Sequence, residues 1–137
     1  MRTFGKCETR VRDRRIVLRE RRRKITFLNP AHQVVRRVQI DGCVITEGLR
    51  CDYLLIAKRT SEHYVELKGC DVGHAVSQLE ATIVAVSEDA QGAPKYAYVI
   101  SSRCPLMASD IQKLKLRFRR SFNSTLVVKN SRYEHVL

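Results

Sequence analysis

The chain has 137 residues, 44% of them hydrophobic and 29% charged, a composition typical of a globular domain and not of a disordered chain. The longest apolar runs, such as Tyr53 to Ala57, have five residues, and no leader-like apolar segment follows Met1. We therefore expect neither a membrane-spanning helix nor secretion. The five cysteines form no CxxC pair. This favours a cytoplasmic protein with reduced thiols, buried at Cys43, Cys51 and Cys70, over a disulfide scaffold or a zinc ribbon.

The net charge of +12 is concentrated at the two ends of the chain. Residues 1–37 carry a net +10 and residues 111–137 a net +6, whereas residues 38–110 carry a net −4. Eighteen of the 26 cationic residues are Arg, whose side chain binds phosphate oxygens bidentately. Nucleic acid is the leading predicted partner. Ribosome-type RNA binding, an anionic membrane surface, solubility alone and, for the Arg-rich start, an organelle transit peptide remain as alternatives.

The first predicted element is a strongly basic helix over residues 8–24. Its apolar residues Val11, Leu18 and Ile25 are seven positions apart, which fits one face of a helix. Pro30 ends this segment, because the residue before a proline is disfavoured in helical conformation.

A strand followed by a hairpin of two strands is predicted in the middle of the chain. Residues 34–45 form a first strand, interrupted at Asp41 and Gly42. Residues 51–58 form a buried strand, residues 59–62 a polar turn and residues 63–68 the returning strand of a hairpin.

The remaining elements alternate between helix and strand. Apolar residues at helical spacing predict a helix over 72–86, and a strand follows at 95–101. A second helix begins at Ser109, and residues 125–129 form a last strand. The order α-β-β-β-α-β-α-β predicts an α/β fold with helices packed on a mixed sheet.

Three charged residues of the predicted hairpin form the candidate site: Asp52, Glu66 and Lys68. Alternation along the strand places Glu66 and Lys68 on one face, opposite to Leu67. The turn between the strands brings Asp52 across from them. Two carboxylates are the ligands that Mg²⁺ (or Mn²⁺) takes besides water and phosphate oxygens, and a neighbouring lysine can position the attacking water.

The spacing from Asp52 to Glu66-Leu67-Lys68 resembles the active-site signature of the PD-(D/E)XK nuclease superfamily. Gln78, on the following predicted helix, matches a glutamine of many members. Cys51 stands where the signature has proline, and Thr82 stands where fuller versions have tyrosine. The resemblance covers about residues 34–101.

The resemblance implies one restriction endonuclease-like domain over 1–137, with an αβββαβ core. Residues 1–33 would supply the leading helix, and residues 109–137 would add an extra helix and strand. It implies catalytic roles for Asp52, Glu66, Lys68 and Gln78. Metal ligands would be Asp52, Glu66, the Leu67 backbone carbonyl and, from the leading helix, Glu20.

The expected function is a magnesium-dependent endonuclease that hydrolyses phosphodiester bonds in DNA, with RNA not excluded. We expect a cytoplasmic homodimer similar to small RecB-like defence nucleases or to Holliday-junction resolvases. The expected phosphate-binding residues are Arg12, Arg15, Arg19, Arg22, Arg23, Lys24, Lys113, Arg117 and Arg120.

Ordinary structural roles exist for the same residues. Asp52 can simply begin a strand, and Glu66 with Lys68 can form the solvated face of an amphipathic strand. Gln78 can be an ordinary polar residue of a helix. The alternative function is therefore an inactive nucleic-acid-binding or assembly module on the same fold.

Overall fold

The computed structural model describes residues 2–67, 71–102 and 108–137. Within them a short 3₁₀ turn is followed by nine strands and two helices. The strands are β1 (Glu8–Val11), β2 (Arg15–Glu20), β3 (Arg23–Leu28), β4 (Val35–Gln39), β5 (Tyr53–Ala57), β6 (Ser61–Glu66), β7 (Lys95–Ser101), β8 (Ser124–Asn130) and β9 (Arg132–Val136). The helices are α1 (Val72–Val86) and α2 (Ala108–Phe122).

The strands form two sheets. The large sheet has six strands in the order β1-β4-β5-β6-β7-β8, and the small sheet has three in the order β2-β3-β9. In the large sheet, the pairs up to β5·β6 are antiparallel and the pairs β6·β7 and β7·β8 are parallel. Each parallel connection contains a helix, as parallel neighbours require a long crossover. The prediction of an α/β protein with a mixed sheet is confirmed.

The large sheet is the middle of three layers, because each of its faces has its own apolar core. On one face, Leu54 and Tyr64 pack against buried residues of α1 and α2, including Leu79 and Phe118. On the other face, Val65 and its neighbours pack against Ile16, Ile25 and Phe27 of the small sheet. The two helices therefore cover one face and the small sheet covers the other.

The predicted N-terminal helix over residues 8–24 is wrong. The segment instead forms β1, β2 and the beginning of β3. Along β2 the exposed Arg15, Val17 and Arg19 alternate with the buried Ile16 and Leu18, a period of two that fits a strand. Arg21, with φ 53°, begins the turn to β3, where no glycine or asparagine signals a hairpin. Residues 1–33 therefore supply no leading helix in their described part, and Glu20 lies on a strand.

Both later helices agree with the sequence prediction. Helix α1 spans the predicted residues, and the Asp71 side chain caps it by accepting a hydrogen bond from the His74 N–H at 3.0 Å. Helix α2 begins one residue before the predicted Ser109. The final strand β9 was not predicted; it pairs in parallel with β3 and completes the small sheet.

Two of the cysteines that were expected to be reduced form a disulfide. Cys7 and Cys43 are bonded, with their Cα atoms 5.8 Å apart, and join the N-terminal turn to the β4–β5 connection. The expectation of reduced thiols is therefore wrong for this pair. Cys51 is a buried free thiol, as predicted, and Cys70 lies outside the described residues.

No helix in the described part of the chain is long and apolar enough to cross a membrane.

Candidate functional site

Asp52 and Glu66 lie at the same end of the β5–β6 hairpin. Tyr53 pairs with Val65, and the Asp52 N–H donates to the Val65 carbonyl at 3.0 Å. Asp52 and Glu66 are the next residues of the two strands. Because side chains alternate along a strand, both share the face of Leu54 and Tyr64, which carries the helices. Lys68 lies outside the described residues, so its predicted position beside them stays a prediction.

Both carboxylates are buried: Asp52 is 6% exposed and Glu66 0%. Asp52 Oδ2 accepts a hydrogen bond from the Leu67 N–H at 2.8 Å, which joins the start of β5 to the residue after β6. Burial raises the pKa of the nearby Cys51 thiol to about 12, and the negative charges of Glu66 and Asp52 add to this rise. The two carboxylates are thus within electrostatic reach of one sulfur atom. Removing acidic groups from water is costly, so such a pair is uncommon outside functional sites.

Helix α1 holds the chain segment that leads into Asp52. Gln78 Nε2 donates to the Arg50 carbonyl at 3.0 Å, and Thr82 Oγ1 accepts from the Cys51 N–H at 2.8 Å. The Thr82 hydroxyl in turn donates to the Gln78 carbonyl at 2.8 Å. Gln78 therefore contacts the backbone two residues before Asp52, and its predicted catalytic role stays a prediction.

A small polar pocket gives access to Asp52. Its volume is about 160 Å³, and Asp52, Asp41, Glu20 and Tyr53 are among its lining residues. Asp41 forms an ion pair with Arg50, with Oδ1 and Nε 2.7 Å apart. Glu20 belongs to the edge of β2, so the small sheet contributes one wall of this pocket. The pocket joins the large sheet to the small sheet at the carboxylate end of the hairpin.

The described residues contain no large cluster of metal-ligating side chains. No group of three or more His, Cys, Asp or Glu side chains within residues 2–67, 71–102 and 108–137 is arranged to hold a metal ion. Mg²⁺ often binds through one or two carboxylates and keeps waters or phosphate oxygens as its other ligands, so the predicted magnesium site at Asp52 and Glu66 stays a prediction. The Leu67 backbone carbonyl was predicted as a further metal ligand. Leu67 follows Glu66 directly, and its N–H donates a hydrogen bond to Asp52.

The predicted phosphate-binding residues lie on two different faces of the large sheet. One set belongs to β2, β3 and their flanking turns, on the small-sheet side, and the other belongs to α2, on the helix side. In the first set, Arg15 pairs with Glu134 at 3.1 Å and Arg23 donates to the Ser102 hydroxyl. The members of the first set are Arg12, Arg15, Arg19, Arg22, Arg23 and Lys24, and those of the second are Lys113, Arg117 and Arg120.

On α2, the three cations differ in their availability. Arg117 forms a hydrogen-bonded ion pair with Glu80 of α1, which raises the pKa of Arg117. Lys113 and Arg120 are exposed, and neither makes an ion pair with another described residue. One surface therefore cannot contain both predicted basic segments.

Sequence reasoning did not identify Lys6 and Arg37 as functional candidates. Both face a groove beside Asp52's pocket, together with Arg19. Arg37 follows Arg36 on β4, and strand alternation places these two neighbours on opposite faces of the large sheet. Arg37 and Lys6 share a surface because β4 pairs with β1 and because β2 lies over this edge of the large sheet. Neither arrangement can be recognised from the sequence.

Comparison of the chain with protein-family models, with curated proteins and with solved structures found no match.

Proposed function

We propose that this protein is a magnesium- or manganese-dependent endonuclease that hydrolyses phosphodiester bonds in DNA. The observation that carries the proposal is the placement of two buried carboxylates, Asp52 and Glu66, at one end of an antiparallel hairpin. A helix whose Gln78 binds the adjoining backbone follows directly. These are the residue types and elements of the PD-(D/E)XK signature.

The order of elements around the site supports the same proposal. Strands β4, β5 and β6 form an antiparallel meander, and α1 then leads to β7, which is parallel to β6. This βββαβ order is the one that the resemblance implies for the core, apart from the leading helix. The small sheet occupies the face opposite the helices. We propose a variant of that core in which the small sheet takes the place of the leading helix.

The two carboxylates suit a hard divalent cation because each offers anionic oxygens and the rest of the coordination shell can come from water and substrate. When bound, such a cation lowers the pKa of a coordinated water and neutralises charge on the scissile phosphate. Asp52 and Glu66 would hold it, and the Leu67 backbone carbonyl would be a further ligand.

The other residues have positioning roles in this proposal. The Leu67 N–H donates to Oδ2 of Asp52 and thereby fixes the orientation of this carboxylate. Gln78 and Thr82 fix the Arg50–Cys51 backbone and thereby the start of β5. Lys68, which lies outside the described residues, is proposed from the sequence to position the attacking water.

Nicking of a supercoiled plasmid with Mg²⁺ and with EDTA tests the proposal. We expect Glu66→Gln and Lys68→Ala to abolish metal-dependent nicking while circular dichroism and thermal melting show a folded protein. Glu62→Gln is the matched control, because Glu62 is a buried carboxylate on the same strand and face. Its Oε1 accepts hydrogen bonds from Tyr64 and Ser87 at the other end of β6, so its loss affects stability rather than cleavage.

Equal nicking by wild type, Glu66→Gln and Lys68→Ala would refute the proposed activity. The full burial of Glu66 favours, as a second candidate, an inactive nucleic-acid-binding module in which the carboxylates serve only the fold. A divalent cation that binds the native state raises its melting temperature by mass action. The nuclease proposal predicts this rise for wild type with Mn²⁺ and its loss in Glu66→Gln, whereas the inactive module predicts no difference.

A further inference from the structure

A groove runs along the exposed edge of the small sheet. Strand β2 is the edge strand of that sheet, and beside it the large sheet presents β1, β4 and the start of β5. The volume of the groove is about 380 Å³. We call it the basic groove, and its defining residues are Lys6, Thr9, Arg19, Arg37, Gln39 and Tyr53.

Three cations line the basic groove: Lys6, Arg19 and Arg37. Among the residues that the structure describes, none of these side chains forms an ion pair or a hydrogen bond. This contrasts with Arg36, the neighbour of Arg37, which forms two hydrogen bonds to the Glu8 carboxylate. Cations left without an anionic partner in a concave surface create a positive potential that attracts anions.

The positive surface continues beyond the groove across the small sheet. In the strand register, Arg19 of β2 lies directly opposite Lys24 of β3, and Lys24 lies directly opposite Arg132 of β9. Side chains at directly paired positions lie on the same face and close together, where like charges destabilise a sheet. A row of three adjacent cations is therefore unfavourable for folding and favourable for binding a polyanion.

The basic groove also leads to the candidate active site. Arg19, Gln39 and Tyr53 line both the groove and the pocket that contains Asp52. The two depressions thus share one wall, and the lining changes from cationic to acidic along it. Such a change of sign matches a path on which cations bind flanking phosphates and carboxylates hold the ion at the reacting phosphate.

We propose that the basic groove binds one single strand of nucleic acid by its phosphates and leads it to Asp52. The proposal rests on the proposed nuclease function, for which it names the substrate class. A concave groove between two layers follows a single backbone, whereas a duplex presents two backbones to a broad surface. Tyr53, half-buried at the junction of groove and pocket, supplies an aromatic ring on which a base can stack.

Fluorescence anisotropy in EDTA tests the groove separately from cleavage. The probes are a labelled oligothymidylate of about 15 nucleotides, which matches the site sizes of single-strand binding grooves, and a duplex of the same length. We expect the single strand to bind about tenfold more tightly than the duplex, because only one backbone fits the groove. Tighter binding of the duplex would overturn the assignment of a single strand.

Charge reversal identifies the surface that binds. Arg37→Glu is expected to weaken binding of the single strand by about tenfold or more and to reduce the slope of log K against log salt by about 0.7 for each lost phosphate contact. Lys115→Glu is the matched control, because Lys115 is an exposed cation of α2 on the opposite face of the large sheet. Lys6→Glu, at an exposed turn, repeats the test should Arg37→Glu fold poorly.

Equal losses in Lys6→Glu and Lys115→Glu would overturn the groove proposal, since they would indicate only a general effect of net charge. The cleavage proposal is separable from it. If Glu66→Gln cleaves DNA like wild type while Lys6→Glu and Arg37→Glu still weaken binding of the single strand, the nuclease proposal is refuted and the groove proposal remains. If metal-dependent cleavage is lost in Glu66→Gln but is unaffected by Lys6→Glu and Arg37→Glu, the groove proposal is refuted and the nuclease proposal remains.

Discussion

The Asp52 side chain accepts a hydrogen bond from the Leu67 backbone N–H at 2.8 Å, and this contact joins the two strands of the hairpin at the candidate site. The same carboxylate therefore has a structural role as a hydrogen-bond acceptor and a proposed role as a metal ligand. Variants that differ only in charge can separate these two roles.

Asp52→Asn is expected to retain the fold and lose metal-dependent nicking, because its amide oxygen still accepts from Leu67 while the anionic charge is removed. Asp52→Ala is expected to lose both the nicking activity and part of the stability of the fold. The buried Leu67 N–H then has no acceptor on residue 52, which costs about 1–3 kcal/mol in the free energy of unfolding. Urea denaturation measures the stability of the fold, and the plasmid assay measures nicking. Nicking by Asp52→Asn at the wild-type rate contradicts a role for this carboxylate in catalysis.

Thr82 offers a test of how α1 supports the site. Thr82→Val is nearly isosteric but removes the hydroxyl that accepts from the buried Cys51 N–H, so we expect a loss of about 1–3 kcal/mol in the free energy of unfolding. Thr82→Ser keeps the hydroxyl and is expected to lose about 1 kcal/mol for its missing methyl group. Amide hydrogen exchange at Cys51 should accelerate in Thr82→Val only. Equal exchange in the two variants would show that the hydroxyl does not hold the β5 backbone.

The central part of the fold could be predicted because its local patterns and its tertiary structure agree. Apolar residues at helical spacing, with Asp71 before them, specify α1, and the apolar run after Asp52 specifies β5. Two strands separated by a short polar turn then fix the relation of Asp52 to Glu66, since side-chain direction and register follow from the period of a strand.

The N-terminal region could not be predicted because its local patterns conflict. Arginine is a good helix former, and the seven-residue spacing of Val11, Leu18 and Ile25 also fits a helix. Burial of Ile16 and Leu18 against the large sheet decides for a strand, and that packing depends on residues distant in sequence. The partnership of Cys7 with Cys43 and the basic groove depend on the same long-range contacts.

A pH dependence of stability is expected from His63. Burial lowers the pKa of His63 from 6.5 to about 3, with smaller effects from His135 and Lys58. Below pH 6.5 the unfolded chain therefore binds a proton that the folded chain excludes, and stability falls as the pH falls. Between pH 7.5 and pH 5 this amounts to about 2 kcal/mol.

His63→Gln should show a pH dependence of unfolding that is flatter by this amount, when urea denaturation is measured across that range. His32→Gln serves as the control, because His32 is an exposed histidine outside the two cores. An identical pH dependence in wild type and His63→Gln would show that His63 is protonated equally in the folded and unfolded states.

The Cys7–Cys43 disulfide gives a last prediction. The bond closes a loop with a sequence separation of 36, and such a crosslink restricts the unfolded chain by about 3–4 kcal/mol. Reductant should therefore lower the melting temperature by about 10 °C for a chain of this size. The double variant Cys7→Ser with Cys43→Ser should already melt at the lower temperature and show no further response to reductant. Because Cys51 is fully buried, its thiol should remain unlabelled by iodoacetamide in the native protein with or without reductant. A wild-type melting temperature unaffected by reductant would mean that the two cysteines are not joined in solution.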